Sequence, residues 1–421
     1  MKDPKTSLSP ILSHYTNIQV DYAQGPYIYS TDGRQYLDFT TGIGVTNTGH
    51  CPPAVVKAAQ AQVAKLIPGQ ANIVYHRPVL ELVEGLRTIM PPHLDSFFFA
   101  NSGAEAIEAA LKLVRHATGR TNMIVFQGGF HGRTIGAVSL TTSNPIYHIK
   151  YQPLMAGVYV APFPYSYYYG WSEDETTSFC LKQLRHLLAS QTAPQETAAM
   201  LIEPVLGEGG YVVPPPGFLE GVQAICREHD ILLIVDEVQS GFGRTGKWFA
   251  FQHSDVEPDV VVMAKGLASG FPLSGIATRA ELMQHSPVGS QGGTYGGNAV
   301  SCAAAVATLR GMQEEGLIEN SATMGAKLME ELKTLQNSSP AIGEVRGLGL
   351  MIAVEFTSAT GEPDGATAKA VMKQCLSDGL MLLTCGTYGN VVRWIPPLIV
   401  EDSHLDQALT IFKNALVRVA G

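Results

Sequence analysis

The chain has 421 residues, of which 45% are hydrophobic and only 15% are charged, and its formal net charge is -9 at pH 7. This length exceeds what one hydrophobic core usually holds, which predicts more than one domain. The negative charge argues against a nucleic-acid partner. Apolar runs such as Ile231–Val235 are far below the roughly 18 residues that indicate a membrane span. We therefore expect a cytoplasmic protein with no membrane partner, whose six scattered cysteines are free thiols.

The first part of the chain predicts a small β structure. Tyr27–Ser30 and Gln35–Phe39 have the pattern of short strands joined by a turn at Asp32-Gly33. We assign residues 1–50 to an N-terminal segment that joins a smaller domain built by the end of the chain.

Between residues 51 and 310, apolar runs alternate with helical patterns. The candidate strands are Ser96–Ala100, Asn122–Phe126, Ala199–Glu203, Ile231–Asp236 and Val260–Ala264, and candidate helices include Ala104–His116 and Gly217–His229. Nearly continuous apolar strands are typical of a sheet that is covered on both faces. The alternation predicts an α/β fold with a mostly parallel sheet in a large domain at 51–310.

The pattern changes after residue 310. A polar helical stretch at about Ser321–Gln336 precedes an apolar strand at Leu350–Phe356. Apolar residues from Leu405 to Val419 then recur at the spacing of an amphipathic helix. We assign residues 311–421 to a smaller C-terminal α/β domain.

Two side chains at strand ends point to chemistry. Asp236 ends one apolar strand and Lys265 follows the next, and ligands of α/β sheets bind in the crevice beside such strand ends. Taken singly, Asp236 is also explained as a turn acid and Lys265 as a solvated surface residue. Together they match pyridoxal phosphate, which needs a lysine for its aldehyde carbon and an acid that keeps its ring nitrogen protonated.

A third feature predicts a place for a phosphate. Asn101–Glu105 precedes a helical pattern and contains a capping box from Ser102 to Glu105. The N–H groups of a first helical turn bind phosphate, and Gly103 permits close approach. Phe130 and His131 offer a flat face for stacking on the cofactor ring.

One glycine-rich stretch resembles a nucleotide-binding motif. Gly241–Lys247 reads as GxGxxG and nearly as GxxxxGK[ST]. Trp248 stands where the phosphate loop needs a hydroxyl for magnesium, and too little sequence follows for a crossover helix. The sequence therefore argues against a nucleotide site here.

Six motifs occur together and in order, and they span nearly the whole chain. They are Asn101–Glu105, Phe130–Arg133, Glu203–Gly210, Asp236–Lys247, Met263–Gly266 and Gly293–Asn298. This set resembles the class III (ω-amino acid) aminotransferases, and most closely the 4-aminobutyrate aminotransferase group. The resemblance implies the aspartate-aminotransferase-like fold type I of pyridoxal phosphate enzymes, assembled as a homodimer or a dimer of dimers.

The resemblance also implies roles around the cofactor. Lys265 is expected to form the Schiff base and to act as the catalytic acid and base, while Asp236 pairs with the pyridine nitrogen. Val238 is expected behind the ring and Gln239 at its phenolic oxygen. The remaining cofactor-binding residues implied are Ser102, Gly103 and Ala104 at the phosphate, Phe130, His131 and Glu203 around the ring, and Thr294, which reaches the phosphate of the neighbouring subunit.

Substrate binding follows from the same resemblance. Arg133 and Arg393 match two arginines that hold substrate carboxylates, and Ile43 is placed beside them. A 4-aminobutyrate-like donor has one carboxylate, which leaves one arginine unpaired, and Glu208 matches the residue that covers Arg393. The implied reaction is ping-pong transfer of the amine of an ω-amino acid to 2-oxoglutarate, which yields a semialdehyde and glutamate.

Three alternatives remain open. Ornithine or acetylornithine aminotransferase is the nearest alternative within the class. An aminomutase or racemase on the same scaffold needs no second substrate, which the pairing of Arg393 with Glu208 disfavours. A non-catalytic protein that has kept the fold is disfavoured by intact Lys265, Asp236 and Thr294.

Overall fold

The structure is a computed structural model that describes residues 4–420. Its strands are β1 (Val20–Gln24), β2 (Tyr27–Ser30), β3 (Gln35–Asp38), β4 (Ser96–Ala100), β5 (Asn122–Phe126), β6 (Val158–Ala161), β7 (Thr197–Ile202), β8 (Leu232–Asp236), β9 (Val260–Met263), β10 (Ser274–Thr278), β11 (Ile342–Leu348), β12 (Met351–Phe356), β13 (Leu380–Met381), β14 (Leu383–Cys385) and β15 (Val391–Trp394). Its helices are α1 (Thr41–Gly44), α2 (Pro53–Val63), α3 (Arg77–Arg87), α4 (Gly103–Thr118), α5 (Ile135–Leu140), α6 (Ser166–Tyr169), α7 (Glu173–Ser190), α8 (Phe218–Glu228), α9 (Ala280–Gln284), α10 (Ala299–Glu314), α11 (Leu317–Ser338), α12 (Gly365–Ser377) and α13 (Asp402–Ala420).

A seven-stranded sheet with the order β4-β10-β9-β8-β7-β5-β6 forms the centre of the molecule. Strands β9, β8, β7, β5 and β6 are parallel, and β10 runs antiparallel to both β4 and β9. All strands except β10 therefore end at the same edge, which we call the carboxyl edge. Every residue of β7 and β9 is buried, which explains why these strands are apolar throughout.

The N-terminal and C-terminal parts of the chain form two further sheets of four strands each. One has the order β1-β2-β3-β13, in which β13 pairs parallel to β3 with Leu380 opposite Leu37. The other is antiparallel with the order β11-β12-β15-β14. The N-terminal strands are thus hydrogen-bonded to a strand of the C-terminal part. The division of the chain at residues 50 and 310 stays a prediction, and residue 310 lies within α10.

Helix α4 begins where the sequence predicts. The Ser102 side chain accepts from the Glu105 N–H at 3.3 Å, and Glu105 Oε2 accepts from the Ser102 N–H at 2.9 Å. This reciprocal capping box satisfies two N–H groups that a helix start leaves free. Gly119 ends the helix with a φ of 67°, a left-handed conformation that glycine adopts without steric cost.

The predicted strands are all present, with ends shifted by up to two residues, as are the helices at α4, α8, α11 and α13. Two strands of the central sheet, β6 and β10, have no counterpart in the sequence analysis. Strand β10 has the sequence Ser-Gly-Ile-Ala-Thr, and it is fully buried although only two of its residues carry apolar side chains. Its small residues sit between β4 and β9, so burial here follows from pairing and not from an apolar pattern.

The Gly241–Lys247 stretch forms a turn-rich loop and opens no helix. Arg244 at its centre is completely buried. The guanidinium donates to the carbonyls of Leu350 and Pro396 and to Asn47 Oδ1. The loop thereby connects the N-terminal segment to the C-terminal sheets, and the sequence-based argument against a nucleotide site agrees with this arrangement.

Between residues 4 and 420, no helix is both long and apolar enough to cross a membrane.

Candidate active site

A cavity of about 440 Å³ opens at the carboxyl edge of the central sheet. Most of the residues predicted for a cofactor line it, namely Ser102, Gly103, Ala104, Phe130, His131, Glu203, Asp236, Val238, Gln239 and Lys265, together with Arg133. They come from the loops after β4, β5, β7, β8 and β9. Residues far apart in sequence converge here because these strands run in one direction and end side by side.

Asp236 is held as a buried acceptor at the end of β8. It is only 3% exposed, and its Oδ2 accepts from His131 Nδ1 at 2.8 Å. Its Oδ1 accepts from the Val238 N–H at 3.0 Å. His131 is itself buried, so the imidazole fixes the direction of the carboxylate. The sequence analysis expected His131 to help form a flat stacking face; the structure places its ring against Asp236.

Lys265 follows β9 in an unusual backbone conformation. Its φ is 43°, a left-handed value that is rare for side chains other than glycine and is often found at functional sites. It begins the short 3-10 helix Lys265–Leu267. Burial lowers the pKa of Lys265, although the carboxylates of Glu208, Asp236 and Glu203 oppose that effect. A lowered pKa increases the fraction of neutral amine, which is the nucleophilic form.

Gly103 leaves room at the start of α4. An added Cβ there would lie 3.1 Å from Val238 Cγ1, so a larger residue would press on the side chain in the cavity. The Ser102 carbonyl accepts from Ser274 Oγ at 2.7 Å, which ties the cap to β10. Because Ser102, Gly103 and Ala104 line the cavity, the positively polarised first turn of α4 faces it.

Glu203 connects two loops of the site. Its Oε1 accepts from the Phe130 N–H at 2.7 Å, and its Oε2 accepts from the Gly207 N–H at 2.8 Å. Burial raises the pKa of Glu203 to about 7, against the influence of His131. The carboxyl group thus fixes Phe130 on one side and the loop that carries Glu208 on the other.

Gln239 has an incomplete hydrogen-bonding pattern. It is 7% exposed and lines the cavity, and its Oε1 is buried without a partner among residues 4–420. Buried polar atoms are normally satisfied. A polar ligand in the cavity would satisfy this one, and together with Lys265, Asp236 and the α4 terminus the residues fit pyridoxal phosphate.

The two predicted carboxylate-binding arginines differ in environment. Arg393 on β15 is 4% exposed, and its Nη1 forms an ion pair of 2.5 Å with Glu208 Oε1. Burial opposes the charge of both groups, but the ion pair together with other neighbouring groups outweighs burial, which holds the pKa of Glu208 below and that of Arg393 above the usual value. Arg133 is exposed, and its guanidinium lies 5.1 Å from the ring centre of Tyr147.

Two predicted residues lie elsewhere. Thr294 is exposed and Ile43 is half-buried, and neither is among the described residues that line the cavity. Val45, close to Ile43 in sequence, lines it instead. The roles of Thr294 and Ile43 stay predictions.

Some residues at the site escaped the sequence analysis. The Tyr147 ring packs on Phe130 at 5.2 Å between ring centres and on Arg133. It belongs to the short 3-10 helix Pro145–Tyr147, and the Asn144-Pro145 turn signal was available in the sequence. Nothing in the sequence connects that turn to Arg133, which is brought close only by the fold.

A lysine after one parallel strand, a buried acid after the next and a helix start facing the same cavity define a fold-type I pyridoxal phosphate enzyme. The family model for class III aminotransferases matches residues 11–416. The chain belongs to this family and is a pyridoxal phosphate-dependent aminotransferase.

Sequence relatives cover nearly the full length of the chain. The probable 4-aminobutyrate aminotransferase of Bacillus subtilis (strain 168) is 39% identical over 93% of this chain and 91% of its own length. The 5-aminovalerate aminotransferase DavT of Pseudomonas putida is also 39% identical, over 96% of this chain and 94% of its own length.

Solved structures agree in fold. An (S)-enantioselective omega-transaminase from Thermomicrobium roseum superposes with a TM-score of 0.92 at 31% identity, covering 98% of this chain and 96% of its own. An amine transaminase from an uncultivated Pseudomonas species, solved with pyridoxal phosphate bound, gives a TM-score of 0.92 at 29% identity and covers 98% of both chains.

Proposed function

We propose that the chain transfers the amine of an ω-amino acid such as 4-aminobutyrate to 2-oxoglutarate in two half-reactions. The observation that carries this proposal is the ion pair between Glu208 and the buried Arg393. A second arginine, the exposed Arg133, lines the same cavity as Lys265. Relatives named for 4-aminobutyrate and 5-aminovalerate support the choice of donor class.

The proposed cofactor site assigns one task to each residue. When bound, pyridoxal phosphate supplies an electron sink for the bond that breaks at the amine-bearing carbon. Lys265 Nζ holds the cofactor and moves the proton at that carbon. The Asp236 carboxylate, directed by His131, keeps the ring nitrogen protonated. The other proposed contacts are Ser102, Gly103 and Ala104 at the phosphate, Val238 and Phe130 on the two ring faces, Gln239 at the phenolic oxygen, and Glu203 behind Phe130.

Arg133 and Arg393 divide the substrate carboxylates between them. An ω-amino acid has one carboxylate far from its amine, and we assign it to Arg133, with Ile43 beside it. Arg393 then stays neutralised by Glu208. An unpaired charge at this buried position would cost roughly 3–5 kcal/mol, so Glu208 is needed whenever the substrate lacks an α-carboxylate.

The second substrate requires Arg393 to be open. The α-carboxylate of 2-oxoglutarate displaces Glu208 and accepts two parallel hydrogen bonds from the Arg393 guanidinium. Its distal carboxylate binds Arg133, where the carboxylate of the amino donor was bound in the first half-reaction. Glu208 therefore acts as a switch between the two kinds of substrate. An aminomutase does not need such a switch, because its substrate and its product each have one carboxylate, which binds at the same position.

We also propose an assembly and a cellular location for the protein. We propose a homodimer, or a dimer of such dimers, in which Thr294 of each subunit reaches the phosphate in the other. Cys51, Cys180, Cys226, Cys302, Cys375 and Cys385 are free thiols, which suits the reducing cytoplasm.

The experiment that tests this function is the replacement Glu208→Ala. We expect single-turnover consumption of 4-aminobutyrate to slow by roughly 100-fold or more, because Arg393 is left uncovered. The half-reaction with glutamate is expected to keep its rate, which serves as the internal control for folding and cofactor binding. Equal losses in both half-reactions would contradict the switch.

A panel of amino donors with wild-type enzyme identifies the donor class. Glutamate formed from 2-oxoglutarate is measured with 4-aminobutyrate, 5-aminovalerate, ornithine, acetylornithine and 2-aminoadipate. Preference for the first two is expected. A clear preference for ornithine or acetylornithine would replace the proposed donor while leaving the class intact.

A further inference from the structure

Ser143 carries a buried hydroxyl that the fold leaves unused. The residue is 3% exposed, and its Oγ has no hydrogen-bond partner among the residues that the structure describes. A buried donor without a partner destabilises a fold, and native proteins contain few of them. The position therefore needs an explanation.

Ser143 shares a cavity with Glu208. This second cavity has a volume of about 360 Å³ and is lined by Ser143, Glu208, Lys369, Thr387 and Tyr388, among others. Of its described lining residues, Glu208 is the only acid and Lys369 the only base. It is distinct from the larger cavity that contains Lys265.

The backbone at Glu208 and just after it is held in place. The Glu208 carbonyl accepts from the Gly386 N–H at 2.9 Å, and the Gly210 carbonyl accepts from Arg346 Nη2 at 2.6 Å. These contacts fix the loop from the side of the C-terminal sheet. A carboxylate that leaves Arg393 must therefore move by rotation of the Glu208 side chain.

Ser143 is tied to the same loop. An added Cβ on Gly209 would lie 2.5 Å from the carbonyl oxygen of Gly128, so the two backbones are in close contact. The next residue, Gly129, accepts at its carbonyl from the Ser143 N–H at 3.0 Å. These contacts hold the Ser143 backbone on the turn at Gly128-Gly129, which itself packs against the loop that carries Glu208.

We infer that Ser143 Oγ donates a hydrogen bond to the Glu208 carboxylate after that carboxylate has left Arg393. Lys369, at the same cavity, supplies the opposite charge. The inference rests on the switch proposed above and names the group that receives Glu208. Ser143 is a positioning residue: it acts through Glu208 and stabilises the state in which Arg393 is open to an α-carboxylate.

This role makes a selective prediction for Ser143→Ala. The apparent Kd for glutamate, from stopped-flow single turnovers at increasing concentration, is expected to rise roughly ten-fold or more, because a hydrogen bond to a charged group is lost. The limiting rate is expected to stay unchanged, since Ser143 is not among the described residues that line the cavity with Lys265. The Kd for 4-aminobutyrate is expected not to rise.

Ser166→Ala is the matched control. Ser166 Oγ is likewise buried without a partner within the described part of the chain, but Ser166 is not among the residues that line the Glu208 cavity. This variant is expected to leave both Kd values unchanged.

The effect of Ser143→Ala on the Kd for glutamate is then measured in a Glu208→Ala background, which has no Glu208 carboxylate for Ser143 to bind. Loss of the effect on glutamate binding in that background is the expected result. A Kd that rises equally in both backgrounds would show that Ser143 contacts the substrate directly, and it would overturn the inference, as would an unchanged Kd in the Ser143→Ala single variant. Either result leaves the proposed function standing. That function fails separately, and this inference with it, if Glu208→Ala slows both half-reactions equally.

Discussion

Glu237 follows the catalytic candidate Asp236 in sequence, but its side chain lies in the protein interior and not in the cavity. It is completely buried and accepts from Ser240 Oγ at 2.6 Å and from the Phe251 N–H at 2.8 Å. Burial raises its pKa from 4.5 to about 7, against the effect of these hydrogen bonds. The folded chain therefore holds a proton between these two pH values that the unfolded chain has released.

The sign of the resulting pH dependence follows from that difference. Below pH 4.5 both states are protonated, and Glu237 has no effect on the free energy of unfolding. As the pH rises from 4.5 to about 7, the carboxyl of the unfolded chain ionises while that of the folded chain keeps its proton, and roughly 3 kcal/mol of stability is lost. Glu237→Gln, which resembles the protonated acid, is expected to match the wild type at pH 5 and to exceed it at pH 8.

Urea unfolding of both proteins at the two pH values measures this effect. Glu331→Gln, at an exposed position of α11, is the control and is expected to change stability equally at both. A Glu237→Gln protein with the same pH dependence as the wild type would show that Glu237 is ionised in the fold at neutral pH.

At the scale of elements, two glycines bring three segments into contact. A Cβ on Gly325 of α11 would overlap the carbonyl of Gly349, in the turn between β11 and β12. A Cβ on Gly349 would in turn overlap the backbone of Thr245 in the Gly241–Lys247 loop. Helix, turn and loop thus touch backbone to backbone, with no flexible side chain between them that can yield.

Gly325→Ala is therefore expected to destabilise the protein by roughly 2 kcal/mol or more, because α11 has to move away from the turn. Gly311→Ala in α10 is the matched control. Its added Cβ would meet only Glu315 Oε1, at 3.8 Å, so the higher helix propensity of alanine is expected to give a gain of roughly 0.5–1 kcal/mol. Thermal unfolding of both variants measures the contrast. Equal shifts would mean that the contact between α11 and the turn is loose.

The elements also show what a sequence can reveal. Strands β7, β8 and β9 were predictable because both of their faces are buried, which requires apolar residues throughout. Strand β10 was not predictable, because its Ser, Gly and Thr residues are buried only through pairing with β4 and β9.

The same limit applies to the site. Lys265 and Asp236 were recognisable because they follow apolar strands that run in one direction. The partners of these residues, such as His131 on Asp236 and the nearby Tyr147 on Arg133, come from turns whose path over the carboxyl edge depends on tertiary packing. Ser143 offered no signal at all, since the feature that singles it out, a buried hydroxyl without a partner among the described residues, exists only in the folded chain.

At the scale of the whole molecule, the single chain leaves several apolar side chains exposed in the segment that carries Thr294 and in a neighbouring segment. Tyr295 is 65% exposed and Val288 fully so, while Ile73 and Tyr75 are 75% and 88% exposed. His76 Nε2 lies 2.9 Å from the Gly297 carbonyl, so the two segments are neighbours. Exposed apolar patches of this kind mark protein interfaces, which supports a second copy of the chain as the partner.

Hybrid dimers test whether Thr294 acts across that interface. Thr294→Val homodimers are expected to bind pyridoxal phosphate roughly ten-fold more weakly, because a hydrogen bond to a charged phosphate is lost. Lys265→Ala homodimers are expected to be inactive. A hybrid dimer has one Thr294→Val subunit, which keeps Lys265, and one Lys265→Ala subunit, which keeps Thr294. If Thr294 acts across the interface, the site that contains Lys265 receives the intact Thr294 of the other subunit.

The hybrid, purified through two different affinity tags, is therefore expected to contain one site per dimer with wild-type affinity for pyridoxal phosphate and about half the wild-type activity. If Thr294 instead served its own subunit, the only site with Lys265 would carry the valine, and its affinity would equal that of the Thr294→Val homodimer. The two outcomes differ by the full ten-fold, so a cofactor titration of the hybrid decides between an active site completed by two chains and one complete within a single chain.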